Sequence, residues 1–291
     1  MKKLLAALAA LLLAPACLAV GPYLAGSSMP AGELPALMGR VEQKLRDDGF
    51  AVVGRHLPPG LPQHGSVIVT DPALNQAARK AGGTAVLATA IRIGVKSDGS
   101  VSYMNPDYWG RAYLREGFGG AEPALRSVRA RLAHALGEGA AFGGDVPEAD
   151  LPSYRYMIGM ERIDSMRNEL ASFASFDKAL ETVRANLAKG VGGTSAVYEV
   201  VLPEAKLAVI GVAMNDPETG EGWWAGKIGP DHVAALPYEI YLIDGKAYAL
   251  YGRYRIALSW PALGMGQFMR IARAPDLIHE TLARVAGAAA R

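Results

Sequence analysis

The stretch LPYEIYLIDGKAYALYGRYRIALSW, which runs from Leu236 to Trp260, decides the fold of this chain. Its apolar runs flank Asp244-Gly245, and that dipeptide favours a tight hairpin because the turn needs a positive φ angle. The earlier stretch AIRIGVKSDGSVSYMNPDYW ends at Trp109 and places Asp98-Gly99 between similar runs. Because each hairpin is followed by a tryptophan, we expect that one structural unit occurs twice.

The segments around the two hairpins follow one order: a helix, two strands, an Asp-Pro step, a loop, the hairpin and a closing helix. Asp71 lies 27 positions before Asp98, and Asp216 lies 28 positions before Asp244. Hairpin-linked strands combined with helices favour antiparallel sheets with helices packed on them. The sequence therefore predicts an α+β fold of two tandem related sandwich domains, each a mainly antiparallel sheet backed by helices.

The chain of 291 residues is long enough for two domains of ordinary size. We expect the first repeat over residues 30–139 and the second over residues 153–291. Residues 140–152 are rich in Gly, Pro and acidic side chains, which is typical of a linker. The stretch YRYMIGMERIDSMRNELASF, residues 154–173, is predicted to add an extra helix at the start of the second repeat.

Methionines recur within this predicted extra helix at Met157, Met160 and Met166. Thioether sulfurs can bind soft metal ions, which is one interpretation of the pattern. Methionine at such a spacing more often fills a core or a seam between domains, and we favour that interpretation.

The first strands of the two hairpins differ in the side chains that alternate along them. In the first hairpin, Arg92, Gly94 and Lys96 alternate with apolar residues, which predicts a sheet with one solvated face. In the second, Tyr238–Ile243 is largely apolar or aromatic on both sides. We expect that sheet to be covered by helices on one face and by the other repeat, a ligand or a partner on the other.

Residues 1–19 have the pattern of a secretory signal peptide. Lys2 and Lys3 precede the apolar run Leu4–Ala14, and small residues follow it. Three outcomes are open: a lipoprotein acylated at Cys17, secretion with removal of Cys17, or an uncleaved anchor. We expect the protein in the periplasm or cell envelope, with an outer-membrane lipoprotein as one form.

The charge balance argues against nucleic acid as a partner. The chain has 30 Lys and Arg against 28 Asp and Glu, so removal of the two signal-peptide lysines leaves 28 of each. Nucleic-acid binding relies on cations that neutralise phosphates, and the sequence has no basic block. Since no further apolar run of about 18 residues occurs, we expect membrane contact only through a lipid anchor at Cys17.

The second hairpin carries further short motifs. Leu236-Pro237 precedes its first strand, Tyr251 follows its turn, and Met214–Pro217 (MNDP) ends an earlier strand. In these features the sequence resembles the family catalogued as domain of unknown function 302. The first repeat departs from the pattern, because Thr89-Ala90 stands where the family has Leu-Pro. The resemblance implies a small α+β sandwich and no established reaction, so it assigns no catalytic residue. It covers two ranges, residues 37–136 and residues 176–286.

The sequence contains none of the common catalytic motifs. The phosphate-binding pattern GxxxxGK[ST], the zinc-protease pattern HExxH and the hydrolase pattern GxSxG are all missing. The five histidines do not recur at helical spacings, so we expect no metal site and no cofactor. Asp216 and Glu218 either perform acid–base chemistry or start a turn, and we favour the turn.

The segment ETGEGWWAGKIG, residues 218–229, is predicted to be a Gly-rich loop over the concave side of the second sheet. Its two tryptophans either cap the core or line a binding cleft. The opposite wall of that cleft is predicted on the returning strand of the second hairpin. The candidate ligand-binding residues are Asp216, Trp223, Trp224, Tyr248, Tyr251 and Arg253.

Together these features favour an exported bacterial envelope protein that acts as a non-catalytic small-molecule binding or assembly module. Two alternatives remain. One is a hydrolase-type enzyme with a site near Asp216 and Tyr251, and the other is a structural partner of an envelope complex. The expected partner is an unknown small molecule or an envelope protein.

Overall fold

The computed structural model describes residues 18–288, so Cys17 and nearly all of the predicted signal segment lie outside the described residues. The described part has antiparallel sheets with helices packed against them, which confirms the predicted α+β class. Within that range no helix is both long enough and apolar enough to span a bilayer.

The first half of the chain is built around a six-stranded sheet. Its elements are β1 (Ala19–Val20), β2 (Tyr23–Ala25), α1 (Leu34–Asp47), β3 (Ala51–His56), β4 (His64–Thr70), α2 (Pro72–Ala81), β5 (Ile91–Lys96), β6 (Val101–Met104), α3 (Pro106–Leu114), α4 (Phe118–Leu136), β7 (Ala141–Phe142) and β8 (Val146–Pro147). The strand order is β3-β4-β5-β6-β2-β7, and all neighbouring pairs are antiparallel. Asp71 starts α2, because its side chain accepts a hydrogen bond from Ala73 N at 2.8 Å.

The second half is built around a five-stranded antiparallel sheet. Its elements are β9 (Glu169–Ser172), α5 (Phe176–Ala188), β10 (Thr194–Leu202), β11 (Leu207–Met214), α6 (Glu221–Ile228), β12 (Tyr238–Ile243), β13 (Lys246–Tyr248), α7 (Gly252–Ser259), α8 (Met265–Phe268) and α9 (Ala274–Val285). The strand order is β10-β11-β12-β13-β9. Residues 83–89 and 230–235 are 3-10 turns that precede β5 and β12. The order α1-β3-β4-α2-turn-β5-β6-α3 thus corresponds to α5-β10-β11-α6-turn-β12-β13-α7.

The two halves pack reciprocally through these 3-10 turns. The turn 83–89 of the first half lies against β11 and β12, and the turn 230–235 of the second half lies against β4, β5 and β6. Arg92 Nε donates to Ala234 O at 3.0 Å, which ties β5 to the second of these turns. Each half therefore covers part of the other half's sheet.

This packing overturns the expectation that the first sheet has one solvated face. Arg92 is fully buried, and Gly94 is buried as well. A Cβ atom at Gly94 would lie 2.6 Å from Val233 Cγ1, so the glycine permits the close approach of the turn 230–235. The alternation of polar and apolar residues predicted solvent on this face, but the other half of the chain covers it.

Residues 140–173 also differ from their predicted structure. The expected linker contributes β7 to the first sheet and β8 to a two-stranded pairing with β1. The expected extra helix over residues 154–173 is wrong, because this segment contains turns, a short 3-10 turn and β9. Gly159 has a φ of +80°, a left-handed conformation that interrupts a right-handed helix.

The return of the second hairpin is shorter than predicted. Only Lys246–Tyr248 forms a strand, and α7 begins at Gly252, so Tyr251 and Arg253 do not lie on a returning strand. The side chain of Asn168 accepts a hydrogen bond from Tyr251 N at 2.9 Å and holds the chain where it leaves the sheet. The stretch from Leu236 to Trp260 therefore forms a hairpin followed by a helix.

The predicted Gly-rich loop that carries Trp223 and Trp224 is also a helix in part, because Glu221–Ile228 forms α6. A Cβ atom at Gly222 would overlap Pro59 O, so the glycine lets α6 pack directly on the chain before β4. The small residues of this segment serve close helix packing rather than loop flexibility.

Candidate ligand-binding cleft

A cleft with a volume of about 810 Å³ lies within residues 18–288. Its wall is the chain from Asp145 to Met160, and its floor is α7 together with the chain that follows it as far as Phe268. The residues that line it are Asp145, Val146, Pro147, Asp150, Ser153, Tyr154, Arg155, Tyr156, Met157, Met160, Arg253, Ile256, Ala257, Trp260, Pro261, Leu263, Met265 and Phe268.

Helix α7 forms the floor of the cleft through one helical face. Arg253, Ile256, Ala257 and Trp260 are spaced at i, i+3, i+4 and i+7, so they lie along one side of the helix. At the α-helical rise, Arg253 and Trp260 are separated by about 10 Å along the axis. The floor therefore runs from a cationic end to an aromatic end, with aliphatic side chains between them.

The opposite wall is attached to this helix at two points. Tyr154 OH donates to Ala257 O at 3.3 Å, near the middle of the floor. Ala262 N donates to Gly143 O at 3.4 Å, which places Asp145 near the aromatic end. These bonds join segments more than a hundred residues apart and give the cleft two fixed sides.

The cationic end contains a network around Glu161. Arg253 Nη2 lies 3.3 Å from Glu161, Tyr156 OH donates to it at 2.8 Å, and Arg167 Nη1 donates at 2.7 Å. Burial alone would raise the pKa of the Glu161 carboxyl, but these hydrogen bonds and the Arg253 charge lower it overall. The Nε–H group of Arg253 is buried and has no hydrogen-bond partner within residues 18–288.

Three other charged side chains of the lining have no partner. They are all exposed, and none forms an ion pair or hydrogen bond in the described part of the chain: Asp145, Asp150 and Arg155. Arg155 neighbours Tyr156 at the cationic end, whereas Asp145 lies near Trp260. Arg155 therefore adds positive charge at the cationic end of the cleft, and Asp145 adds negative charge near its aromatic end.

Tyr251 lies behind the cationic end and outside the lining. Its hydroxyl donates to Asp276 and accepts a hydrogen bond from Arg167 Nη2 at 3.0 Å. Arg167 also stacks over the ring, 4.0 Å from its centroid. Burial, followed by the Asp276 carboxylate, raises the pKa of Tyr251 above its ordinary value. This hydroxyl holds its proton at neutral pH and orders the side chains around Arg253.

Among the predicted site residues, only Arg253 lines the cleft. Asp216 is at a turn, where its carboxylate accepts hydrogen bonds from Glu218 N at 2.9 Å and Thr219 N at 2.8 Å, and these bonds lower its pKa. No hydrogen bond or ring contact joins Asp216 to Tyr251 within residues 18–288.

The predicted aromatic residues occupy other positions. Trp224 is only 1% exposed and meets Trp260 edge-on at 5.6 Å, so it supports the cleft from behind. Trp223 is half-buried under Lys227, and Tyr248 stacks on Tyr241 at 5.3 Å in the second sheet. These positions favour the core-capping interpretation for Trp224.

Sequence reasoning missed most of the floor, although one signal was present. In RYRIALSW the residues Arg253, Ile256, Ala257 and Trp260 follow a helical period, but the alternating residues before them favoured a continuing strand. The opposite wall gave no comparable local signal.

Two further charged clusters join the halves but are closed to solvent. Glu239 pairs with Arg92 and lies 3.3 Å from Arg255 Nε, and all three side chains are buried. His56 of β3 contacts Glu221 of α6, and both are buried as well. Since solvent does not reach these groups, we interpret both clusters as contacts that hold the halves together.

Comparisons with known proteins found no matching family model, no matching curated protein and no matching solved structure. The resemblance to the domain of unknown function 302 family therefore stays a prediction. Within residues 18–288, no group of three or more His, Cys, Asp and Glu side chains is arranged to hold a metal ion. The geometry of the cleft is the remaining basis for a functional assignment.

Proposed function

We propose that this chain is an exported, non-catalytic binding module of the bacterial envelope that holds an elongated amphipathic molecule in the α7 cleft. An anionic group of the ligand binds at Arg253, and its apolar body lies along Ile256, Ala257 and Trp260. The observation that carries this proposal is the position of Arg253, whose side chain is 34% exposed, at one end of an apolar floor.

The size and composition of the cleft support this assignment. A volume of about 810 Å³ falls in the range of small-molecule sites, which combine apolar walls with a few placed polar groups. A carboxylate, sulfate or phosphate group could accept hydrogen bonds from Arg253 and Arg155, since guanidinium groups favour such oxyanions. Export is supported by the signal-peptide pattern of residues 1–19.

A hydrolase site near Asp216 and Tyr251 receives less support. The Tyr251 hydroxyl is engaged by Arg167 and Asp276, and Asp216 caps a turn. Assembly with an envelope protein has one observation in its favour, because Ile158 and Met269 near the cleft are strongly exposed apolar residues. We therefore keep capture of an apolar protein segment as a second candidate for the same cleft.

The experiment compares ligands that share a twelve-carbon chain. Dodecanoate and dodecyl maltoside are titrated into the protein by calorimetry, and we expect tighter binding of dodecanoate because only it carries an anionic group. Arg253→Ala should weaken dodecanoate binding by roughly tenfold to a hundredfold, as expected for loss of a hydrogen bond to a charged group. The matched control is Arg126→Ala, which removes an exposed arginine of α4.

A second variant tests the apolar floor. Ala257→Phe should fill the middle of the cleft and weaken both probes, since it adds a ring where the aliphatic body would lie. If neither Arg253→Ala nor Ala257→Phe changes binding of either probe, the cleft is not the binding site. A different outcome would favour assembly. In that outcome neither probe binds the wild-type protein, and a protein from native envelopes co-purifies with the wild-type protein but not with Ala257→Phe. The assembly candidate then replaces the small-molecule one.

A further inference from the structure

Methionine is unusually exposed in this protein. Eight large apolar side chains are exposed among residues 18–288, and five of them are methionines. Methionine is normally a buried residue type. The interpretation that Met157, Met160 and Met166 fill a core or a seam is therefore wrong for all three, because their exposed fractions are 44%, 38% and 94%.

Three methionines line the α7 cleft, two on one side and one on the other. Met157 and Met160 lie on one turn, which is closed by a hydrogen bond from Met160 N to Met157 O at 3.3 Å, and both line the cleft. Met265 begins α8 on the opposite side and lines the same cleft, with an exposed fraction of 60%. Met166 is absent from this lining and so has a different environment.

The apolar character of the cleft does not require methionine at these positions. Leucine has similar volume and hydrophobicity, and it would line a wall equally well. Methionine differs in its polarisable sulfur and in its three rotatable bonds, which let side chains on facing segments adapt to a common ligand. The thioether is thus the property that distinguishes these three positions.

Thioethers select a particular class of metal ion. They are soft, uncharged ligands that favour Cu(I) and Ag(I) over Mg²⁺, Ca²⁺ or Zn²⁺. The cleft lining contains two aspartates and two arginines, so its formal charge is zero and a monovalent cation meets no net repulsion. We propose that Met157, Met160 and Met265 form a binding site for one soft monovalent metal ion, Cu(I) or Ag(I). This proposal does not depend on the proposed amphipathic ligand.

The test uses Ag(I) as a probe that needs no protection from oxidation. All proteins carry Cys17→Ser, because a thiol would itself bind the ion. Ag(I) is added as the nitrate in chloride-free buffer, and binding is followed by native mass spectrometry and calorimetry. We expect one Ag(I) per chain, and at least a hundredfold weaker binding after the triple substitution Met157→Leu, Met160→Leu and Met265→Leu.

The matched control is the pair Met166→Leu and Met269→Leu, which changes two exposed methionines outside the lining. This control should bind Ag(I) like the parent protein. Circular dichroism and the melting temperature should be similar for all proteins, so that lost binding cannot be attributed to unfolding. The proposal is overturned if the parent binds no Ag(I), or if the triple variant binds as tightly as the control.

Two further readouts separate this site from the amphipathic-ligand site. The triple leucine variant keeps the apolar lining and should still bind dodecanoate, whereas Arg253→Ala should still bind Ag(I). Thioethers do not titrate, so Ag(I) affinity should be the same at pH 5.5 and pH 7.5. An affinity that falls clearly at the lower pH would indicate histidine ligands and contradict the methionine site.

Discussion

Removing the charge of Glu239 should destabilise the whole described fold. Glu239 is the only carboxylate in contact with Arg92 and Arg255 in residues 18–288, and all three side chains are buried. Glu239→Gln keeps the shape of the side chain but leaves two guanidinium groups without a counter-charge. Arg92 and Arg255 retain hydrogen bonds to backbone carbonyls of the turn 230–235, which are too few to replace an anion.

Breaking a buried ion pair from one side costs about 3–5 kcal/mol of unfolding free energy. For a chain of this size, such a loss corresponds to a fall in melting temperature of roughly 6–20 °C. Urea unfolding followed by circular dichroism and tryptophan fluorescence measures the loss. Because the cluster joins β5 to β12 and α7, the two probes should report one coincident transition.

The control is Glu199→Gln, which removes a partner of Arg184 in an exposed pair. Exposed pairs contribute about 0–1 kcal/mol, so the control should change stability little. The double variant Arg92→Met with Glu239→Gln removes one of the two buried guanidinium groups that lack a counter-charge. It should therefore be more stable than Glu239→Gln alone. Equal losses for Glu239→Gln and the control, or two separate unfolding transitions in the parent, would refute the role assigned to this cluster.

Three further outcomes are expected from single changes. Burial lowers the pKa of His232 in the folded chain. The unfolded chain therefore takes up a proton near pH 6.5 that the folded chain does not, and the free energy of unfolding should fall as the pH drops below about 7. This fall should be shallower in His232→Phe. Trp224→Ala should cost about 3–5 kcal/mol in chemical denaturation, and Trp223→Ala clearly less, because only the former is fully buried; similar costs would contradict the assigned burial. Gly54→Ala should lower the melting temperature, since its Cβ would lie 2.5 Å from a carbonyl oxygen of β10, whereas Gly39→Ala has open space in α1 and should stabilise by about 0.5–1 kcal/mol.

The parts of the fold that were predictable are those with local signals. Gly99 and Asp244 have φ angles of +89° and +50°, as the Asp-Gly turns require. Helix α5 begins after Ser175, whose side chain accepts a hydrogen bond from Lys178 N at 3.2 Å, as serine commonly does at this position. Such features depend on neighbours within a few residues, and the sequence displays them directly.

The parts that were not predictable depend on distant partners. Arg92 looked like a solvent-facing residue because its counter-ion lies 147 positions away. Helix α7 looked like a strand because its starting point depends on Asn168, which belongs to another segment. The cleft combines residues near 150 with residues near 260, and neither stretch alone indicates a cavity. Of the predicted site residues only Arg253 lines this cleft, and it does so from a helix rather than from the predicted strand.

The pairing of Arg92 with Glu239 has an evolutionary consequence. Each is the second residue of the strand that leads into an Asp-Gly turn, so the two occupy equivalent positions of the two halves. In a symmetric dimer of identical subunits, a residue close to the two-fold axis faces its own copy, and an ionised side chain there would meet a like charge. Joining both units in one polypeptide removes that restriction, because each can then mutate independently. If the two halves descend from one unit, the pair of Arg92 and Glu239 arose after the two units were joined in one chain.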